Sequence, residues 1–198
     1  MTVSEIIAKV RALRSSTFSD EQIVDWLNEV DGYVQTEVLL WPIIKTYRYA
    51  ISGTAQSAGA WFRDSSHITL QTPAYFAPGG TVTIAGLETY ADNNGGPWEL
   101  IDRSDDGLVL EFQPGTFSVL GDEPDSGTAT LAYNGTGAEL LVLPPHDKLY
   151  VPYILAQMAF AQEEWDGYEN YKAMYNEYLG EYKRWFGMKY RPADTWRR

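Results

Sequence analysis

A chain of 198 residues with 44% hydrophobic and 21% charged content has the composition of a folded globular protein, which excludes disorder over most of its length. Cysteine is absent, so disulfide frameworks, thiolate nucleophiles and Cys-based metal sites are excluded with it. Acids outnumber bases 27 to 15, and the net charge of −12 argues against a nucleic-acid binder that works by neutralising phosphates.

The charge is uneven. Residues 181–198 carry six Lys/Arg and two acids, net +4, whereas residues 1–180 carry nine bases and 25 acids, net −16. An acidic body with a basic C-terminal tip is a polarity that a function has to use. At the other end, MTVSEIIAKVRAL is interrupted by Glu5, Lys9 and Arg11, so no export signal is expected there. No run approaches the roughly 18 apolar residues of a membrane span, and a soluble chain without a membrane partner is expected.

The first zone, residues 1–41, is helical in pattern. Thr2 and Glu5 stand in capping-box spacing before Ile6, Ile7, Val10 and Leu13. A second start follows at Phe18-Ser19-Asp20-Glu21-Gln22-Ile23, with Ser19 as N-cap and Phe18 and Ile23 placed as a hydrophobic staple. Ile23, Trp26, Leu27, Val30, Val34 and Val38 then trace one face, and Trp41-Pro42 is expected to stop the run.

Residues 45–143 hold 13 of the 17 glycines and alternate in short strands. Strands are expected at 67–71, 81–85, 98–103, 108–112 and 128–133, parted by Pro78-Gly79-Gly80, Asn93-Asn94-Gly95-Gly96, Asp105-Asp106-Gly107 and Asp125-Ser126-Gly127. The Asp106-Gly107 pair marks a hairpin. Pro144-Pro145 close this zone, and Pro152 fits a first helical turn. Ile154, Met158, Ala161 and Trp165 form a stripe, and a kink or break is expected at Gly167.

The last helix carries the strongest pattern. Tyr168, Tyr171, Tyr175, Tyr178, Tyr182 and Trp185 recur at spacings of 3, 4, 3, 4 and 3, a heptad seam written almost wholly in tyrosine. The seam is read as packing first inside its own domain, against Ile6, Val10, Trp26 and Val30, with its outer edge facing a neighbouring subunit. Tyrosine suits such an edge because its ring adds contact area while its hydroxyl tolerates a wet rim. The fold class that follows is α+β. A helical bundle forms from the two ends (1–44 and 144–190), a small antiparallel β-barrel or sandwich is inserted at 45–143, and a tail occupies 191–198.

Chemistry is sparse. Asp105-Asp106 and Glu163-Glu164 are adjacent acids that chance and solvation explain among so many. Asp102, Ser104, Asp106 and Gly107 imitate half a calcium loop, but Gln113 stands where the bidentate Glu belongs. His67 and His146 lie in no zinc spacing, and no nucleophile elbow, phosphate loop or dinucleotide fingerprint occurs. No catalytic residue, metal or cofactor is assigned. The tail does suggest docking: Trp196 as anchor, with Arg191, Arg197 and Arg198 meeting an acidic partner.

The ends of the chain resemble the head–tail connector (adaptor) proteins of tailed bacteriophages. The resemblance is carried by FSDEQIVDWLN at 18–28, by Tyr153-Ile154-Leu155-Ala156-Gln157, and by Tyr171 with Tyr175-Asn176-Glu177-Tyr178. It implies a structural, non-enzymatic role in the virion neck, reached from the host cytoplasm during assembly. About a dozen copies would form a ring beneath the portal protein, extend the DNA channel and offer a platform to tail or stopper proteins. DNA would pass without specific binding, as an acidic lumen favours. The resemblance also implies portal docking through the C-terminal segment, here Lys189, Tyr190, Arg191, Trp196, Arg197 and Arg198. The inserted β-module departs from compact members of that family. It keeps a rival reading open: a carbohydrate-binding or hydrolytic virion protein in which Trp61, Tyr75, Tyr90 or Trp98 lines a groove. A monomeric tail-completion or scaffolding factor is the third reading.

Overall fold

Ser19 opens the second helix as its spacing predicts: its side chain accepts the Gln22 amide, and α2 runs Asp20–Glu37 behind it. The computed structural model of the chain describes residues 1–15, 17–39 and 48–190. The expected stop at Trp41-Pro42 and the tail at 191–198 lie outside the described residues. α2 ends sooner, with Val38 capping it through an amide bond to Val34 O. Helix α1 spans Val3–Leu13, and its Ile6, Ile7 and Val10 are buried while Leu13 is exposed. Phe18 meets Trp26 edge-on at 5.2 Å and so closes over the start of α2.

The chain divides into two compact units, one of Met1, Glu5–Ile44 and Leu140–Arg198, the other of Thr2–Ser4 and Lys45–Glu139. In the first, a 3-10 turn at His146–Leu149 leads into α3, Tyr150–Ala161, and then α4, Trp165–Lys189. Pro152 lies in the first turn of α3, where its missing N–H costs nothing. Eight of the twelve residues of α3 are buried, so it is the central helix, with α2 and α4 packed on it. The break falls at Gln162–Glu164 and not at the expected Gly167, which sits in the first turn of α4. Glu163 takes a left-handed φ of 58° there, and the amides of Gln162, Glu163 and Glu164 fold back on carbonyls of α3. The turn therefore closes tightly enough to send α4 back along α3.

The second unit holds eight strands among its described residues: β1 Ser52–Ser57, β2 Ala60–Trp61, β3 His67–Leu70, β4 Thr81–Ala85, β5 Gly95–Glu99, β6 Asp102–Arg103, β7 Val109–Glu111 and β8 Ala129–Asn134. They form two antiparallel sheets, ordered β1-β8-β4-β5 and β2-β3-β7-β6. Ile68, Leu70 and Leu110 of one sheet share a core with Val82, Ile84, Leu131 and Tyr133 of the other. The class is α+β as expected, with two sheets sharing one core and no closed barrel. Asp106-Gly107 does turn the β6–β7 hairpin: Gly107 has φ 72°, and Asp106 accepts from the Ser104 hydroxyl and the Leu108 amide.

Sequence periodicity departs from the structure in three places here. The expected strand at 98–103 is two strands parted at Leu100 and Ile101, because β5 pairs with β4 and β6 with β7. Gly95 and Gly96, read as turn, belong to β5. β1 and β2 were not foreseen, since SGTAQS has no apolar alternation and β1 is held by backbone pairing to β8. Gly80 gives the Tyr133 ring its place: an added Cβ would collide with the ring, whose hydroxyl donates to Ala77 O at 2.8 Å.

Candidate oligomerisation and docking surface

The tyrosine seam splits into an inner and an outer row. Tyr175 and Tyr182 are buried together with Phe186, whereas Tyr168, Tyr171, Tyr178 and Trp185 are half-exposed. Ring contacts show what part of the inner row packs on. Its ring partners come from α3 and the 3-10 turn: Tyr175 meets Tyr153 edge-on at 4.9 Å, and Tyr182 meets His146 at 5.5 Å. The largely buried α3 packs against both α2 and α4 and so supplies those partners. His146 also lies 4.8 Å from Trp185, and its enclosed Nδ1 has no hydrogen-bond partner. The structure thus makes that histidine a packing element of the aromatic row.

Ion pairs fix the outer row. Lys148 sits 4.3 Å from the centre of the Tyr178 ring and 2.6 Å from Glu181. Its hydrogen bond to Glu181 raises the Lys148 pKa and lowers that of Glu181. Lys183 reaches Glu37 of α2 at 2.8 Å. Lys172 donates to the Tyr168 hydroxyl at 2.9 Å. At the α3–α4 corner, Phe160 and Trp165 stay more than half exposed, in edge contact at 5.7 Å, and Tyr168 tilts against Phe160 at 5.5 Å. Arg14 binds Glu164 at 2.7 Å and the Gln162 side chain, which pins that corner to the end of α1.

Between α2, α3 and α4 lies a cavity of about 280 Å³ lined by Tyr33, Glu37, Tyr153, Gln157, Tyr175 and Asn176, among others. Burial and then the neighbouring Tyr33 and Glu37 push the Tyr175 hydroxyl up to about 12. Burial and then Glu29 push Tyr153 up further still. The cavity walls also carry the residues of the sequence resemblance: Tyr153, Ala156 and Gln157 from one motif, Tyr175 and Asn176 from the other.

The profile of the SU10 adaptor protein family matches residues 1–197. The chain belongs to that family. It is a structural head–tail adaptor of the tailed-phage kind, as the resemblance at its two ends implies. The adaptor is also similar to a chain in a solved structure titled "Neck of empty GTA particle computed with C6 symmetry". The two are 16% identical over 78% of this chain and 75% of the other, with a TM-score of 0.27. No curated protein matches.

Lys189 and Tyr190 end α4, with Lys189 4.8 Å from the centre of the Trp185 ring and Tyr190 packed 4.4 Å from Phe186. Arg191, Trp196, Arg197 and Arg198 lie outside the described residues. Of the four aromatics offered for a glycan groove, Tyr90 belongs to the β core, its ring on Phe62 and its hydroxyl donating to Glu123 O. Trp98 is packed edge-on against Phe117, and Tyr75 is exposed beneath the Arg103 guanidinium. Among the described residues, no group of three or more His, Asp or Glu is placed to hold a metal ion. His67 Nδ1 meets Asp64 at 2.9 Å, but Ser66 Oγ approaches that same nitrogen, so the trio is a turn and not a nucleophile relay. Sequence reasoning missed Tyr33, Tyr153, Gln157 and His146 as partners of the seam. The i, i+4 spacing of Tyr153 and Gln157 could have placed both on one face of α3.

Proposed function

We propose that the adaptor works as a homo-oligomeric ring of about twelve copies beneath the portal protein, extending the DNA channel and presenting a platform to tail or stopper proteins. The observation that carries this reading is the division of the α4 seam. Tyr175, Tyr182 and Phe186 satisfy the bundle, and Tyr168, Tyr171, Tyr178 and Trp185 are left half-exposed on the flank. A row of rings with wet hydroxyls is the composition of a subunit interface. In a ring each flank meets a different surface of the next copy, which is the heterologous contact that closes on itself.

The charge distribution supports the rest. A net −16 over residues 1–180 lets DNA slide past without phosphate contacts, so no specific nucleic-acid site is assigned. The portal contact is assigned to the basic C-terminal segment, Lys189, Tyr190, Arg191, Trp196, Arg197 and Arg198, through charge complementarity with an acidic ring. The role is structural, without catalysis, and its place is the head–tail interface of the virion after assembly in the host cytoplasm.

The test mixes the protein with purified portal rings and measures the mass of the complex. A portal that gains an integral ring of copies supports the reading. A portal whose mass stays unchanged, under conditions where both proteins are folded, rejects it.

A further inference from the structure

The outer side of α4 carries a second stripe beside the buried one. Tyr171, Met174, Tyr178, Glu181, Trp185 and Met188 recur at spacings of 3, 4, 3, 4 and 3. Tyr175, Tyr182 and Phe186 face the bundle, whereas Met174 is 43% and Met188 75% exposed and the three rings of the stripe are half-exposed. Tyr, Trp and Met are residue types enriched where two protein surfaces meet. The stripe covers about 26 Å of helix, or about two and a half heptads of a coiled-coil seam. Tyr171, Tyr178 and Trp185 hold one core position of that heptad; Met174, Glu181 and Met188 hold the other. The flanking position just before each ring is then Asn170, Glu177 and Arg184, all exposed. Two opposite charges therefore stand one heptad apart on the same edge of the stripe.

We propose that the free protein is a two-fold dimer in which this stripe pairs antiparallel with the same stripe of a second copy. Charge selects that occupant and that direction. Residues 165–177 carry three acids and one base, and residues 178–190 carry three bases and one acid. Antiparallel pairing sets each acidic half against a basic half, whereas parallel pairing sets like on like. It also brings Glu177 of each copy beside Arg184 of the other, so the two-fold axis makes that contact twice. Near the axis, Tyr178 of one copy faces Glu181 of the other. Glu181 arrives there already paired, since Lys148 lies 2.6 Å from it and 4.3 Å from the centre of the Tyr178 ring. A polar group at one core position fixes the register of such a seam. Tyr171, Tyr178 and Trp185 belong also to the flank assigned above to the ring contact. The dimer therefore covers that flank until the portal is reached, and keeps free copies from polymerising head to tail. That second half rests on the ring reading; the dimer itself does not.

The experiment uses the full-length protein without portal and reads its mass by sedimentation across micromolar concentrations. The wild type should sediment at twice the mass of the 22.3 kDa chain. Glu177→Arg and Arg184→Glu, both at exposed positions, should each raise the dimer dissociation constant about tenfold or more, because two attractive contacts become repulsive. An equal mixture of the two variants should recover a dimer of wild-type strength with one copy of each, since each supplies the charge the other has lost. Helical circular dichroism should stay at the wild-type level throughout. Met188→Lys, at the most exposed residue of the stripe, is an independent check and should also split the dimer with the helix retained. A monomeric wild type, a dimer indifferent to both charge reversals, or a mixture no tighter than either variant alone overturns the proposal. So does a dimer that survives Met188→Lys, or a free wild type that closes into rings. No portal is present, so failure here leaves the proposed function standing, and a failed portal mixture leaves the dimer standing.

Discussion

Tyr150 donates its hydroxyl to Asp31 Oδ1 at 2.5 Å, and the Val142 amide donates to the same hydroxyl at 2.9 Å. One phenol thus ties α2 to the start of α3 and to the bend before it, with Asp31 and Tyr150 119 residues apart in sequence. All three groups are buried, so none has water to fall back on. Removing the hydroxyl with Tyr150→Phe leaves a carboxylate oxygen and an amide without that partner. The expected loss is about 2–3 kcal/mol, above the ordinary worth of one hydrogen bond. Chemical denaturation followed by the helical signal checks it. Tyr150→Phe combined with Asp31→Asn should cost less than the sum of the single changes, since both remove one shared interaction.

A second buried carboxylate organises the β unit. Asp125 accepts the amides of Tyr90 at 2.8 Å, Gly127 at 2.7 Å and Glu88 at 3.1 Å. Burial pushes this carboxyl up, but the amides of Glu88, Tyr90 and Gly127 more than reverse it and hold it below the ordinary range. A folded pKa below the unfolded value contributes stability that is present above the unfolded pKa and is lost as pH falls through the folded one. The β unit should therefore weaken below about pH 4, and Asp125→Asn should weaken it at neutral pH while flattening that acid limb. Unfolding curves of both proteins between neutral and acid pH decide this. Parallel acid limbs would remove Asp125 from the explanation.

What the sequence made legible follows from where side-chain pattern decides structure. The Ser19 cap, the apolar face from Ile23 to Val34 and the Asp106-Gly107 hairpin are each specified by adjacent residues, and each is present. β1 was invisible because Ser52–Ser57 is placed by its ladder with β8 and not by its own side chains. The break at Gln162–Glu164 was misplaced onto Gly167 because a glycine signals only local freedom. The actual turn is set by carbonyls of α3 that accept its amides. The seam was legible as a seam, yet its partners were not. Which helix faces Tyr175 depends on the burial of α3 on nearly all sides, a property of the assembled bundle.

Alkali should separate the two rows of tyrosines. Burial raises Tyr153, Tyr175 and Tyr182 above the ordinary tyrosine value, Tyr175 to about 12. For an acid whose folded pKa is raised, the unfolded chain releases its proton first, so stability falls as pH rises from about 10 towards 12. A spectrophotometric titration of the tyrosinate band should show a late phase, from the buried tyrosines, that coincides with loss of helix. Substituting Tyr175→Phe should shrink the late phase and move helix loss to higher pH. A single phase with the helix intact throughout would contradict the burial of the inner row.

The two rows should also separate under mutation, and this bears most directly on assembly. Tyr182 is buried between His146 and Phe186, so Tyr182→Ala removes a core ring and should cost about 3–5 kcal/mol. Tyr171 is half-exposed on the flank, and Tyr171→Ser should change stability by less than about 0.5 kcal/mol. Its effect should appear in assembly instead, as a portal complex that gains fewer copies or none. Tyr178→Ser is the intermediate case, because it also removes the ring beneath Lys148 and so loosens the Lys148–Glu181 pair slightly. A Tyr171→Ser protein that is as stable as the wild type and still builds full rings would show that the outer row does not form the contact between copies. The reverse pattern, with stability lost and assembly retained, would place the outer row inside the fold.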